Sequence, residues 1–326
     1  MTRLLLFSAL LWSQLAAQPK RAPLPAGPRD VMVTAIPGVI EASAKWTLVW
    51  QNAQMADGIV GSDDGGLLFA QQQTNKIDKL DENDRFSIYL SNPHAPGAVA
   101  IGPGGRVFAL ERTCLDIKPQ PCTEPPAVSA LTPERKVLAD SVEGKGLGRP
   151  NDLVAGNNGG IYFSSGGAFF LKPGGKVMGI GENLNANGIM LSPDEKTLYV
   201  TNGPVIAAFD VHADGSVTNQ REFGKLEGGG NGDGMAIDEA GRLYVCTNAG
   251  VQVLGPDGKY LGVIPTPRPA VSTAFSGPGK TTLYVACRGA VDAEGQEITT
   301  PPGERNITTT IYKIRMTTRG FRGRPK

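Results

Sequence analysis

Histidine is nearly absent from this 326-residue chain, with only His94 and His212 present. Two histidines leave little room for a Ser-His-Asp relay, and no Gly-x-Ser-x-Gly elbow occurs, so serine-nucleophile chemistry is disfavoured. The same scarcity argues against zinc, which prefers His and Cys. The four cysteines form no Cys-x-x-Cys pattern, which removes that redox and metal signature. An excess of one charge is also missing. Lys+Arg number 32 and Asp+Glu 31, a net of +1, so no electrostatic attraction to nucleic acid or a membrane surface is implied. Beyond the N-terminus no apolar run approaches membrane-spanning length, and no useful stretch has helical periodicity.

The N-terminus is the exception. Arg3 precedes the apolar run Leu4 to Trp12, and Leu15-Ala16-Ala17 offers small residues for cleavage. Residues 1–17 therefore read as an export signal, followed by an N-terminal segment over 18–45. The mature protein is expected to be periplasmic or secreted and free of the membrane. Disulfides can form in such compartments. Cys114 and Cys122 flank Lys118-Pro119-Gln120-Pro121 and are expected to staple that loop. Cys246 and Cys287, near the ends of equivalent strands, read equally well as a pair or as buried thiols.

What is abundant is glycine and proline, 43 and 25 residues, as many tight turns between short strands require. A short apolar strand, usually led by Gly, recurs six times, aligned on Leu68, Val107, Tyr162, Tyr199, Tyr244 and Tyr284. The steps are 39, 55, 37, 45 and 40 residues. A period of about 40–45 residues suits one four-stranded propeller blade. Asp214-Gly215 and Asp257-Gly258 lie between apolar runs and mark hairpins. The expectation is an all-β fold, a six-bladed β-propeller over residues 46–316 with four-stranded antiparallel blades. The last unit lacks an outer strand, which would leave an open edge. Trp46-Thr47-Leu48-Val49-Trp50 is the candidate that closes the ring, and residues 317–326 read as a basic C-terminal tail. The step of 55 locates an insertion between units two and three, about residues 113–126.

Ten to twelve residues before each repeated strand stand Asp57, Gly97, Asn151, Asn187, Asp233 and Ser272. If these begin the innermost strands, four side chains bearing carboxylate or carboxamide oxygens point at the axis from one end. Asp-Gly and Asn-Gly also mark turns, so each match alone is weak. Four in phase outweigh that reading. Asp57, Asn151, Asn187 and Asp233 are thus candidate ligands for a hard cation such as Ca2+, which takes about six to eight oxygens. His94 lies close enough to the second inner strand to be weighed as a proton acceptor, with a surface role favoured. His212 reads as an exposed turn residue. Asn306-Ile307-Thr308 fits the acceptor pattern for N-glycosylation.

Three segments carry a resemblance: Arg149-Pro150-Asn151-Asp152-Leu153, Asn187-Gly188-Ile189-Met190-Leu191-Ser192-Pro193-Asp194 and Gly232-Asp233-Gly234-Met235-Ala236-Ile237-Asp238. They look like the signature segments of the gluconolactonase and senescence-marker-protein (regucalcin) family, and the similarity spans nearly the whole mature chain. The resemblance implies a six-bladed propeller with a divalent cation, commonly calcium, in its channel and hydrolysis of sugar lactones. Distant relatives act on phosphoesters. The family's metal-binding Asn residues fall on Asn151 and Asn187, its metal-binding Asp and presumed base on Asp233, and its substrate-contacting Arg on Arg149. Arg149 reads alternatively as a partner for Asp152. Two departures stand out. The first-blade Glu is replaced by Asp57, with Glu41 a rival whose phase is wrong. The segment Ser164–Ala168 is short where sugar lactonases often carry polar substrate contacts. The implied function is metal-dependent opening of a small-molecule lactone or ester. The alternatives are a non-catalytic binding propeller with a structural calcium, or a phosphotriesterase-type hydrolase.

Overall fold

The computed structural model describes residues 27–114, 122, 124–301 and 306–323. The proposed export signal lies outside them. Six four-stranded antiparallel sheets form a ring, a six-bladed β-propeller. Blades 1 to 5 run inner to outer in chain order. Their inner strands are Asp57–Gly61, Pro96–Ile101, Leu153–Ala155, Ala186–Leu191 and Met235–Ile237. Blade 6 takes Ala270–Ser276, Thr282–Arg288 and Thr309–Arg315 from the C-terminal end. Its outer strand is Thr47–Asn52, paired antiparallel with Thr309–Arg315. The N-terminal strand therefore closes the ring without a covalent link, as the missing edge required.

The repeated strands are second in every blade, and both their faces are covered by neighbouring sheets. This is why they read as unbroken apolar runs. Tyr162, Tyr244 and Tyr284 are at most 2% exposed. Tyr162 keeps a polar partner by donating from its hydroxyl to the Gly215 carbonyl, 2.8 Å away in the next blade.

The insertion lies within blade 2 and not between units. It joins the second strand, Val107–Glu111, to the third, Ala127–Ala130. A separate hairpin, Ser141–Val142 with Lys145–Gly146, adds the remaining length before blade 3. Cys114 and Cys122 are joined as a disulfide, whereas Cys246 and Cys287 are buried free thiols.

Both flanking segments are tied to the ring. Val33, Ile36, Val39 and Ile40 bury against blades 5 and 6, and the Trp46 indole donates to the Pro265 carbonyl at 2.8 Å. The described part of the C-terminal tail docks on Asp238. That carboxylate accepts from Thr318 Oγ1, Tyr244 Oη and Arg242 Nε at 3.0, 2.9 and 2.6 Å.

The closing strand is anchored by Trp50, whose ring packs tilted at 60° against Phe69 of blade 1, with centroids 4.9 Å apart. Truncating a well-packed aromatic costs about 3–5 kcal/mol when fully buried. Trp50 is half-buried, so Trp50→Ala is expected to lose roughly 2 kcal/mol. A urea titration measures it, and an unchanged midpoint would show that the closing strand contributes nothing.

Candidate active site and cation-binding site

Because the inner strands of all six blades surround the channel, equivalent positions form a ring at one end of it. Asp57 opens the inner strand of blade 1 and Asn187 is second in that of blade 4. Asn151 and Asp233 stand two residues ahead of the inner strands of blades 3 and 5. These four, with Arg149 and Arg288, line one cavity of about 120 Å3. It continues into a mouth of about 810 Å3 that shares Arg149, Asn151, Asn187, Asp233 and Arg288.

The glycines that follow three of these residues have a reason other than turning. A Cβ on Gly188 would lie 2.3 Å from the Asp233 carbonyl oxygen, and one on Gly58 2.3 Å from Ala98 Cα. Inner strands of adjacent blades approach at these points, and any side chain would push them apart. Asn187-Gly188 lies inside a strand, not at a hairpin turn.

The remaining two slots differ. Ser272 Oγ accepts from the Ile59 amide at 3.2 Å and pins blade 6 to blade 1. In blade 2 the slot holds Gly97, and the guanidinium of Arg112 fills its space. A Cβ on Gly97 would fall 2.1 Å from Arg112 Nε. Arg112 is 2% exposed. It donates to the Pro150 carbonyl at 2.9 Å, Gln72 Oε1 at 3.0 Å and Asn151 Oδ1 at 2.8 Å. Its Nη2 lies 3.9 Å from Asp57 Oδ2. The sequence reading missed this residue. The one sign of it was a Gly where neighbouring units carry oxygen side chains.

Arg112 sets a direction around the ring. Its guanidinium can only donate, so it turns the Asn151 oxygen toward itself. The Asn151 amide then donates to Asn187 Oδ1, and Asn187 donates in turn to the Asp233 carboxylate. A donor-only group at one end and an acceptor at the other orient both amides. Each amide oxygen retains a second lone pair.

The Asp233 carboxyl is pushed up to about 7, chiefly by burial and next by the negative charge of Asp57. Arg288, 3.6 Å from Asp233 Oδ2, only partly offsets this. The base of the channel is thus a place where negative charge is under-compensated. Among the described residues no three carboxylate, imidazole or thiolate groups converge, so a cation there would depend on amide oxygens as well. Two carboxylates and two carboxamides form an all-oxygen set, which fits a hard divalent cation such as calcium.

The other candidates lie elsewhere. His94 Nδ1 is 3.1 Å from Glu124 Oε2, and His94 lines neither cavity. His212 is exposed against Thr218. Glu41 is exposed on the N-terminal segment. Asp152 is buried and accepts the Ile189 amide at 3.2 Å, joining blades 3 and 4. Asn306 to Thr309 form one wall of the small cavity. The polar lining missing from the short Ser164–Ala168 segment comes instead from Asn185, Asn231 and Asn248 of blades 4 and 5.

Comparison with known proteins agrees with this architecture. A gluconolactonase of Zymomonas mobilis is 28% identical over 293 residues, covering 76% of this chain and 80% of its own length. A regucalcin of Xenopus laevis is 28% identical over 244 residues, 69% of this chain and 81% of its own. Among solved structures, a gluconolactonase of Xanthomonas campestris superposes with a TM-score of 0.69 at 21% identity, over 91% of this chain and 99% of its own. The sequence profile of the "SMP-30/Gluconolactonase/LRE-like region" matches residues 55–288, most of the ring, and the chain belongs to that family.

Proposed function

We propose that the protein hydrolyses a lactone at the base of its channel with the help of a divalent cation, calcium being the best fit. Asp57, Asn151, Asn187 and Asp233 would hold the cation. When bound, it supplies Lewis acidity that polarises the lactone carbonyl. Asp233 takes a proton from the attacking water, whose oxygen bonds to the carbonyl carbon. The ring C–O bond then breaks, and the departing oxygen recovers the proton from Asp233, leaving a hydroxy acid. Arg149 orients the substrate and donates to the oxygen on which negative charge develops. The Arg112-to-Asp233 relay of amides holds the polar groups in place before substrate arrives.

One observation carries this reading: oxygen-bearing side chains from four blades, with Arg149, line a single cavity. Names of relatives point to the same chemistry. The test is acid release from a lactone panel by protein stripped of metal and then given calcium. Turnover is expected on calcium addition and is lost again with chelator. Calcium that raises the melting temperature without turnover of any lactone or ester would make the channel a binding site only. Turnover confined to phosphotriesters would move the substrate class.

A further inference from the structure

A branch of hydrogen bonds leads from the cation ring away from the channel. Arg112 commits one arm of its guanidinium to Asn151 and another to Gln72. Gln72 directly follows the second strand of blade 1, Leu67–Gln71, and is completely buried. Its carboxamide joins two partners. Oε1 accepts from Arg112 Nη1 at 3.0 Å, and Nε2 donates to the Cys114 carbonyl at 2.6 Å. Because Arg112 can only donate, it fixes which end of the Gln72 amide faces it. The amide nitrogen is thereby turned toward Cys114, which is half of a disulfide.

Cys114 stands two residues beyond Arg112 on the same segment of blade 2. Its bond to Cys122 ties that segment to the chain leading into the third strand of the blade, Ala127–Ala130. Thr113 Oγ1 adds a second tie by donating to the Glu124 carbonyl at 2.5 Å. The backbone of Arg112 is held in turn by its amide, 3.0 Å from the Ala95 carbonyl. The place of the guanidinium thus depends on a short stretch clamped by the disulfide and gripped from blade 1 by Gln72. Cys114 and Cys122 are both partly exposed, so a small reductant can reach the bridge. Cys246 and Cys287 are already thiols and are buried.

We infer that Gln72 and the Cys114–Cys122 disulfide are positioning elements of the cation site, acting through Arg112 on Asn151. The disulfide keeps the Cys114 carbonyl against Gln72. Gln72 steadies the guanidinium, and the guanidinium orients the Asn151 amide among the four oxygen-bearing side chains. Opening the disulfide releases the Cys114 carbonyl, and Arg112 loses the support that Gln72 draws from it. The inference rests on the proposed function only for what the site binds. The coupling between disulfide and Asn151 stands on the hydrogen bonds themselves.

The test titrates calcium into the oxidised and the reduced protein in a calorimeter. A dithiol such as dithiothreitol opens the bridge. Its two thiols become a disulfide, and the Cys114–Cys122 bond takes up two electrons and two protons to give two thiols. Reduction is expected to raise the calcium Kd about tenfold, the low end for a group that acts behind a metal ligand. Replacing both Cys114→Ser and Cys122→Ser should weaken binding equally and make it indifferent to dithiothreitol. Gln72→Met should weaken binding to a similar degree. Combined with the two serines it should add little, because all three changes cut one link. Reciprocity requires calcium to protect the bridge, so calcium should raise the ratio of bridged to open protein in a dithiothreitol buffer about tenfold. A Kd that moves less than about twofold on reduction, or losses that simply add, would make the disulfide a staple of its own loop and overturn the inference. Hydrogen exchange without a cation separates the two layers of the reading. Reduction should speed exchange at the amides of residues 149–155, around Asn151 and the inner strand of blade 3. Faster exchange there, with no calcium binding in either form, would keep the coupling and discard the cation. Calcium binding indifferent to reduction, with faster exchange confined to blade 2, would keep the cation and discard the coupling.

Discussion

If Asp233 is the proposed base, Asp233→Asn is expected to lower kcat for lactone hydrolysis by roughly 10²–10⁴-fold, the usual worth of a placed general base. The amide keeps the shape of the side chain but can neither accept the proton nor bring negative charge to a cation. A second readout separates this from simple misfolding. The Asp233 carboxyl is raised from 3.8 to about 7 by burial and by Asp57. Between those values the folded protein holds a proton that the unfolded chain has released. Stability without a cation therefore declines as pH rises across that interval, and above about 7 the wild type carries the cost of holding this partly exposed carboxylate charged beside Asp57. Removing the charge relieves it. In chelator at pH above 7, Asp233→Asn should melt higher than wild type while losing turnover, and calcium should no longer stabilise it as strongly. Unchanged turnover would remove Asp233 from the chemistry. A lower melting temperature at high pH would show that its charge is paired better than the geometry indicates.

Arg112→Met is the second large effect, and it acts through structure. Arg112 is buried, and its loss strands the Pro150 carbonyl, Gln72 Oε1 and Asn151 Oδ1. It also removes the cation beside Asp57. Breaking one side of a buried charged network costs about 3–5 kcal/mol. The same change frees the Asn151 amide to flip, so the direction of the Asn151–Asn187–Asp233 relay is lost. Turnover should fall in the fraction that remains folded. Gly97→Ala should reproduce much of this, since its Cβ would meet Arg112 Nε at 2.1 Å. Arg112→Lys keeps charge but not the fork, and should fall between. Urea unfolding at fixed pH measures the series. A loss under about 1 kcal/mol for Arg112→Met would show that the guanidinium is not a keystone of the ring.

A further consequence concerns the Asp-Gly and Asn-Gly pairs. By sequence they read either as turns or as ligands. The structure gives Gly188 and Gly58 a third role, close passage of neighbouring inner strands. The oxygen-bearing residue beside each of these glycines lines the channel cavity. A local reading of dipeptides could not supply the glycines' role, because the clashing atoms come from the next blade, some 40 residues away.

The amino-acid sequence alone determined the number of blades, the four-stranded unit and the use of Trp46–Trp50 to close the ring. Each follows from a period, an alternation or a missing strand, all of which are local or repetitive in the chain. It also determined which four oxygen-bearing residues share a phase. Tertiary structure alone decided that Arg112 reaches through the space left by Gly97, that Arg288 faces the same cavity as Arg149, and that the polar wall of the mouth comes from blades 4 and 5. These are contacts between blades. Their partners are fixed by how the sheets pack around the axis, and no spacing along the chain encodes that.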